Sequence, residues 1–385
     1  MKIVVYTICK NEAKFVDRWM DSMREADAVV VLDTGSTDGT VQKLRARGAI
    51  VDVRKYERWG TVAEYKRLVA AGKRPWRFDW ARNDSIDLAK AKVPDADLLV
   101  CTDLDEVLLP GWRSKLEVAW KEALVRCEKP TTAQYEYVWN FNADGSDGTK
   151  FWYEKIHRPN CGRWAHPVHE ILEYGDDGKR MVRVPGMRLE HHADPRKSRG
   201  QYLQLLELSV DEDPADDRNM HYLGREYMFR GRWDDAINTL TRHLSLPRAT
   251  WRAERASSMR FIAKCYGEKG DVARQEIWLR RAMLEEPGQR EAALDLAELM
   301  HAQKDWPALV RACEACIAIK ERRLSYLTKA EAWGSRPWDL YSIGLWYSGN
   351  CKAAIEANRK AMEIAPNDQR LKDNDAVMRK LLVAG

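Results

Sequence analysis

Two kinds of pattern share this chain, and the place where one yields to the other limits what it can fold into. In the first half, short aliphatic runs alternate with amphipathic stretches; after Gln201 everything reads as helix. Ile3 to Ile8 is a strand, followed by a helical pattern carrying Phe15, Trp19 and Met23 at four-residue spacing. A second strand, Ala28 to Leu32, runs into Asp33-Thr34-Gly35-Ser36-Thr37-Asp38-Gly39-Thr40. Two glycines among small hydroxylated and acidic residues make a turn. Thr37 or Asp38 can cap the next helix, which buries Val41 and Leu44, and a third strand spans Ala49 to Val53. This alternation is the signature of a mostly parallel sheet with helices on its faces.

Chemistry concentrates in Leu98-Leu99-Val100-Cys101-Thr102-Asp103-Leu104-Asp105-Glu106. The aliphatic run reads as a buried strand. If the strand continues through the acidic end, Asp103 and Asp105 point the same way and Leu104 points into the body. Paired carboxylates repel and are costly to desolvate, which makes sense if a divalent cation neutralises them. Hard oxygen ligands suit Mg²⁺ or Mn²⁺ beside substrate phosphates. The competing reading is a solvated acidic turn, since Asp-x-Asp is short and common.

A loop and short helix follow the third strand over Tyr56 to Pro75, and then a helix through Ile86, Leu88 and Ala89. Trp112 to Val125 is amphipathic. Ala133 to Phe141 carries Tyr135, Tyr137, Trp139 and Phe141 on one face of a strand, joined by the turn 142–148 to a strand at Phe151 to Arg158. Two histidine-bearing segments come next, Trp164-Ala165-His166-Pro167-Val168-His169-Glu170 and Arg188-Leu189-Glu190-His191-His192-Ala193-Asp194. The basic, loop-like stretch Pro195 to Gly200 marks the boundary, giving domains 1–195 and 196–385.

In the second domain a helix, a short turn and a helix recur irregularly. Tyr222-Leu223-Gly224 leads to Gly231 and Trp233; Phe261-Ile262-Ala263 leads to Gly270-Asp271; Ala293-Leu294 leads to Lys304-Asp305-Trp306; Leu340-Tyr341 leads to Gly349-Asn350. This is the tetratricopeptide pattern, whose units stack to share a core, so an all-α tetratricopeptide-like solenoid is expected. Cys313 and Cys316 form a C-x-x-C with no second pair, and read as packed small residues on a helix rather than a zinc site.

The chain has 385 residues, 45% hydrophobic and 32% charged, as expected of a soluble protein of two or three domains. No apolar run approaches the roughly 20 residues that span a bilayer. The start, Lys2-Ile3-Val4-Val5-Tyr6, lacks a secretory signal, so a cytoplasmic location is expected. Eight scattered cysteines make no disulfide framework. A net charge of +5, with acids and bases interspersed, fits phosphate-bearing ligands without arguing for nucleic acid.

Five segments in this order resemble the family-two glycosyltransferases with the GT-A fold: Thr7-Ile8-Cys9-Lys10-Asn11-Glu12, Asp33 to Thr40, Arg82-Asn83, Asp103-Leu104-Asp105-Glu106 and Val168-His169-Glu170. The resemblance covers roughly residues 1 to 195. It implies an α/β nucleotide-sugar-binding domain and an inverting, metal-dependent hexosyltransferase that uses a nucleotide sugar, a UDP-sugar first of all. It implies that Thr7 and Asp33 touch base and ribose, and it groups Asn11 and Glu12 with the nucleotide site, although both also suit a helix start. Arg82 would reach the nucleotide or its diphosphate, where a fork of donors suits phosphate. Asp103 and Asp105 would hold Mn²⁺ or Mg²⁺ against the diphosphate. A late histidine adds a ligand, His192 being preferred slightly over His191. Glu170 would be the base, with His169 orienting it or the acceptor. The acceptor is a glycan, a protein or a modified nucleic-acid base, and the helical half holds the acceptor or a partner, packs on the first domain, or mediates a homo-oligomer. Two other readings compete: a repeat scaffold with a degenerate transferase domain, against which the intact Asp103, Asp105 and Glu170 argue, and a nucleotidyltransferase, whose glycine-rich phosphate loop is missing from Thr7 to Glu12.

Overall fold

The computed structural model describes every residue except Cys127, Ala143, Asp144, Asp177, 195–199 and Gly385. The expected boundary, apart from Gly200, and two positions of the turn 142–148 lie outside the described residues. The chain forms two compact units, Met1–Glu212 and Asp213–Gly385.

The first unit runs β1 (Ile3–Cys9), α1 (Val16–Ser22), β2 (Ala28–Asp33), α2 (Thr40–Ala46), β3 (Ile50–Val53), α3 (Val62–Ala70), α4 (Phe78–Lys92), β4 (Leu98–Cys101), β5 (Glu106–Leu108), α5 (Trp112–Val125), β6 (Thr132–Val138), β7 (Lys150–His157), β8 (Gly162–Ala165), β9 (Ile171–Tyr174), β10 (Met181–His191) and α6 (Tyr202–Glu212). Eight strands make one sheet in the order β3-β2-β1-β4-β7-β6-β10-β5, and β8 pairs with β9 apart from it. The first four strands are parallel. β7 runs antiparallel to both β4 and β6, and β10 lies parallel to β6 but antiparallel to β5. The sheet is therefore mixed, its parallel half being the one that alternates strand and helix in sequence.

β1 is buried along its whole length. Its odd positions, Ile3 and Val5, join a core with Trp19, Trp112 and Leu116, while Val4 and Tyr6 join another with Ile86, Ala89 and Trp164. A strand covered on both faces has no polar side to show, which is why β1 reads as one apolar run.

Three local expectations are corrected. The strand through the acidic segment stops at Cys101, and Asp103 to Asp105 form a turn before β5. The Asp103 amide donates to Glu106 Oε2 at 2.7 Å instead of to a neighbouring strand, while Leu104 is buried as expected. The N-cap of α2 is Gly39, left-handed at φ 88°, and Asp38 Oδ1 accepts from the Thr40 amide one residue inside the helix. β6 ends at Val138, so only Tyr135 and Tyr137 of the four aromatics are buried, and Trp139 is exposed.

The second unit is helical: α7 (Asp217–Phe229), α8 (Trp233–Ser245), α9 (Arg252–Glu268), α10 (Val272–Glu285), α11 (Glu291–Gln303), α12 (Trp306–Ala318), α13 (Arg336–Tyr347), α14 (Cys351–Ile364) and α15 (Gln369–Ala384). Consecutive helices pair, and α7, α9, α11 and α13 also pack one on the next, the stacked tetratricopeptide-like arrangement. Asp216, Asp271 and Asp305 cap α7, α10 and α12 by accepting a first-turn amide. Gly224 lets α7 approach α8 closely, since a Cβ there would lie 2.5 Å from Leu240 Cγ. Cys313 and Cys316 are buried on α12, and burial pushes both thiols up, Cys316 to about 12, so they remain neutral packing groups. Among the described residues no helix is long and apolar enough to cross a membrane.

Candidate active site

The parallel strands deliver their C-terminal ends to one edge of the sheet. β1 lies where the strand order reverses, between β2 and β4, the usual ligand crevice of an open α/β sheet. Arg82, on the face of α4 toward this edge, organises it. Its Nη2 donates to Asp103 Oδ1 at 2.8 Å and its Nε to Glu170 Oε1 at 2.7 Å, while Nη1 faces Cys101 Sγ at 3.3 Å. Burial alone would pull its guanidinium down, but Asp103, Cys101 and Glu170 hold it well above its ordinary range. Lys155 of β7 is the second buried cation. Its Nζ lies 3.3 Å from Asp103 Oδ2 and 3.5 Å from Glu106 Oε1. Burial disfavours its charge, and Asp103 and Glu106 more than restore it. Glu106 accepts from Tyr137 Oη at 2.7 Å and is itself pushed up by burial, against the pull of Lys155.

Asp105 faces the end of β10, its carbonyl accepting from the His192 amide at 2.8 Å. His191 Nε2 stands 3.6 Å from Asp105 Oδ2. His191 Nδ1 is 3.0 Å from the Trp139 carbonyl oxygen, which can only accept. The Nδ1 proton is thereby fixed, and Nε2 is left to face the carboxylate. Burial opposes the imidazolium, and Asp105 outweighs it, raising the His191 pKa. Three carboxylates, Asp103, Glu106 and Glu170, thus meet two permanent cations, Arg82 and Lys155, and a fourth, Asp105, faces His191. An excess of negative charge beside an oriented imidazole nitrogen is what a divalent cation requires, so the residues fit the metal that the resemblance implies. His192 is turned elsewhere. Its Nε2 lies 3.2 Å from Glu190 Oε2 and its ring stacks on Phe141.

A sequence model described as "Glycosyl transferase family 2" matches residues 4–189. Residues 4–189 belong to glycosyl transferase family 2. The chain is therefore a glycosyltransferase, with its transferase domain in the first unit. No curated protein matches it in sequence. Solved structures similar to part of the chain include a crystal structure of MamA (17% identity, 44% of this chain and 83% of that one, TM-score 0.34). Others are pilF of Pseudomonas aeruginosa (12%, 45% and 72%, 0.35) and YrrB, titled a TPR protein with an unusual peptide-binding site (12%, 46% and 82%, 0.34). Nothing about ligands follows from likeness at this level.

In the transferase domain the loops after β1 and β2 are sewn together. The Asn11 amide donates to Ser36 Oγ, and Asn11 Oδ1 accepts from the Thr37 amide, both at 2.8 Å. The Glu12 amide donates to Thr40 Oγ1 at 2.8 Å. Asp33 Oδ1 accepts from the amides of Gly35 and Ser36 at 2.9 and 2.8 Å, and Oδ2 accepts from the Ser36 hydroxyl. Asp33 therefore holds its own loop, and Thr7 is fully buried in β1. Both side chains are fully buried as the loops stand.

Glu170 ends the loop after β8, where His166 and His169 take φ of 77° and 51°. Asn11, also left-handed at 56°, lies in the loop after β1. Three non-glycine residues are thus held in the left-handed region around one edge, where backbone strain is stored. Asn83, next to Arg82, pins β8 by exchanging hydrogen bonds with the Trp164 backbone at 2.8 and 2.9 Å. The His169 ring lies 5.9 Å from that of Tyr202, tilted by 55°.

Sequence reasoning missed Lys155, Glu106 as a buried partner, and a chain behind the site. Trp164 Nε1 donates to Tyr6 Oη at 2.9 Å, and Tyr6 Oη is 2.7 Å from His157 Nε2. His157 Nδ1 must donate to the Arg158 carbonyl, so Tyr6 donates to Nε2. A pocket of about 530 Å³ adjoins His191, lined by Phe15, Trp139, Phe141, Lys14, Arg18 and Asp194 among others. The run of alternating aromatics was the signal for that pocket; nothing in Lys155's local sequence marks it.

Proposed function

We propose that this glycosyltransferase moves a hexose from a nucleotide sugar, a UDP-sugar in the first instance, to an acceptor hydroxyl with inversion. The observation that carries the reading is the arrangement of Asp103, Glu106 and Glu170 around Arg82 and Lys155, with His191 aimed at Asp105. Asp105 and His191 would hold Mn²⁺ or Mg²⁺, which supplies charge stabilisation to a departing nucleoside diphosphate. Of the two adjacent histidines we assign this role to His191, because its Nδ1 proton is committed to Trp139 and its Nε2 faces Asp105. Arg82 and Lys155 hold Asp103 in place, and the loops 10–15 and 34–39, tied to each other, flank the place of the nucleotide.

Glu170 serves as the base that takes the proton from the acceptor hydroxyl. The Arg82 hydrogen bond fixes its position relative to the Asp103 side of the site. The aromatic pocket beside His191 suits an acceptor ring, since Trp139 and Phe141 offer stacking faces and Lys14 and Arg18 offer charge to any phosphate it bears.

The test is a melting-temperature panel of nucleotide sugars with and without Mn²⁺. A ligand that binds only the native state raises the midpoint by mass action. One UDP-sugar should shift it, only with metal, and not in Asp105→Ala. Glu170→Gln should keep that shift and lose transfer, measured as nucleoside diphosphate released. Full transfer by Glu170→Gln would move the base elsewhere, and a metal-independent shift in Asp105→Ala would remove the cation from the reading.

A further inference from the structure

The helical unit carries a cluster that sugar transfer does not use. Asp217 opens α7, His243 lies in the last turn of α8 and Glu254 lies in the first turn of α9. Successive helices turn back on one another, so the starts of α7 and α9 meet the end of α8. One ligand atom from each of the three residues lies within 4.8 Å of the others.

The histidine makes this more than a pair of acids. His243 is completely buried, and its Nε2 has no hydrogen-bond partner. That nitrogen lies 3.6 Å from Glu254 Oε1, beyond hydrogen-bond reach. The other ring nitrogen, Nδ1, is 3.0 Å from Ser258 Oγ, which is itself 2.7 Å from His221 Nδ1. Glu254 Oε2 accepts from Tyr326 Oη at 2.8 Å, leaving Oε1 for the histidine side. Among the described residues neither Asp217 nor Glu254 forms an ion pair with a lysine or arginine.

Two neighbouring carboxylates and a bare buried nitrogen are each costly. The N-termini of α7 and α9 ease the carboxylates without any ion, but they do nothing for the nitrogen turned toward them. A cation relieves all three groups at once. Metal bonds of about 2.0–2.2 Å to nitrogen and oxygen put neighbouring ligand atoms roughly 3–4 Å apart, and the His243–Glu254 separation falls in that interval. Imidazole with two carboxylates selects a borderline ion such as Zn²⁺ over Ca²⁺ or Mg²⁺. A hydroxyl on Nδ1 orients the ring as outer-shell partners of metal-bound histidines do. We propose that Asp217, His243 and Glu254 bind a divalent transition cation of the Zn²⁺ class, which ties the ends of α7, α8 and α9 together.

The full-length protein, stripped by chelator and dialysed, is titrated with Co²⁺ as an optically visible stand-in, and its melting is followed with and without Zn²⁺. Ligand-field bands should appear, and the midpoint should rise with the logarithm of Zn²⁺ concentration. His243→Gln and Asp217→Asn should each weaken Co²⁺ binding by about tenfold or more, whereas Asp105→Ala should keep the bands. Should His243→Gln fail to fold, Asp217→Asn, at the half-exposed start of α7, decides the matter. Unchanged bands in Asp217→Asn overturn the site. So does a Zn²⁺ response that disappears in Asp105→Ala. A wild-type protein whose stability falls with rising pH and ignores Zn²⁺ would make His243 a protonated partner of the two acids, and would equally overturn the proposal.

Discussion

The two units bury charge in different ways. In the helical unit Asp339 is almost inaccessible, yet Arg370 grips both its oxygens at 2.9 Å and Arg336 donates at 2.7 Å. Asp295 is similarly met by Arg260 at 2.7 Å and Lys329 at 3.0 Å, and these cations hold its pKa down against burial. In both places the buried acid meets two cations of its own, and the cluster's work is to fasten helices. At the sheet edge three carboxylates, Asp103, Glu106 and Glu170, share Arg82 and Lys155, and among the described residues Asp105 beside them faces only His191. A buried acid with two cations to itself is a fastener; carboxylates that outnumber their cations are prepared for a ligand that supplies the rest.

The sharpest way to break this contrast is Arg82→Met. It leaves Asp103 and Glu170 with one cation fewer, and removing one partner of a buried pair costs about 3–5 kcal/mol. The low end, about 3 kcal/mol, is expected because Asp103 is one-third open to water. Transfer should be lost together with that stability. Denaturant unfolding reads the stability and released nucleoside diphosphate reads the activity. Added Mn²⁺ should restore part of the stability only in the charge-surplus reading. The same protein with Arg370→Met should lose less, because Arg336 still holds Asp339.

How much of this could be read from the chain varied with the range of the interaction. β1, β2 and β3 were legible because their neighbours in sequence are their neighbours in the sheet, and α5 was legible because its apolar stripe is continuous. The stacked helices were legible for the same local reason. β10 was not: it inserts between β6 and β5, and its pattern around Pro185 and Gly186 is interrupted by a register shift. That insertion is what carries His191 to Asp105, so the choice between His191 and His192 could not be made from adjacency. That Asp33 ends a strand is plain in the chain, but its hold on its own loop is visible only once Ser36 folds back. Lys155 needed the pairing of β7 with β4 before it could be placed beside Asp103.

Acid sharpens the comparison further, because it acts on the sheet unit through His157. Burial lowers the pKa of this histidine from 6.5 to about 4. The unfolded chain takes up its proton as pH falls through 6.5, whereas the folded chain refuses it until about 4. The neutral form's advantage is therefore complete above pH 6.5 and is lost between 6.5 and 4, by about 3 kcal/mol. Hydrogen exchange of β1 and β7 should speed up across that interval, while exchange in α11 to α13 should change far less. His157→Gln, which can still accept from Tyr6, should remove the pH slope of the sheet unit. A slope that survives the substitution would assign acid sensitivity to another group.

The smallest effect tests the helical unit in its own terms, through packing alone. Gly224 faces Leu240 so closely that an alanine Cβ would sit 2.5 Å from its Cγ and 3.3 Å from its backbone nitrogen. Alanine favours a helix over glycine by about 1 kcal/mol, so on propensity alone Gly224→Ala would stabilise α7. Overpacking costs about 1–3 kcal/mol, and because Leu240 is fully buried on α8 it cannot simply swing away. The net expectation is a loss of about 1 kcal/mol, seen as faster exchange in α7 and α8 with unchanged transfer. A pair mutant, Gly224→Ala with Leu240→Ala, should couple favourably, since shortening the leucine removes the clash. If Gly224→Ala alone is stabilising, α7 and α8 can separate at no cost, and close packing would not be what joins that pair.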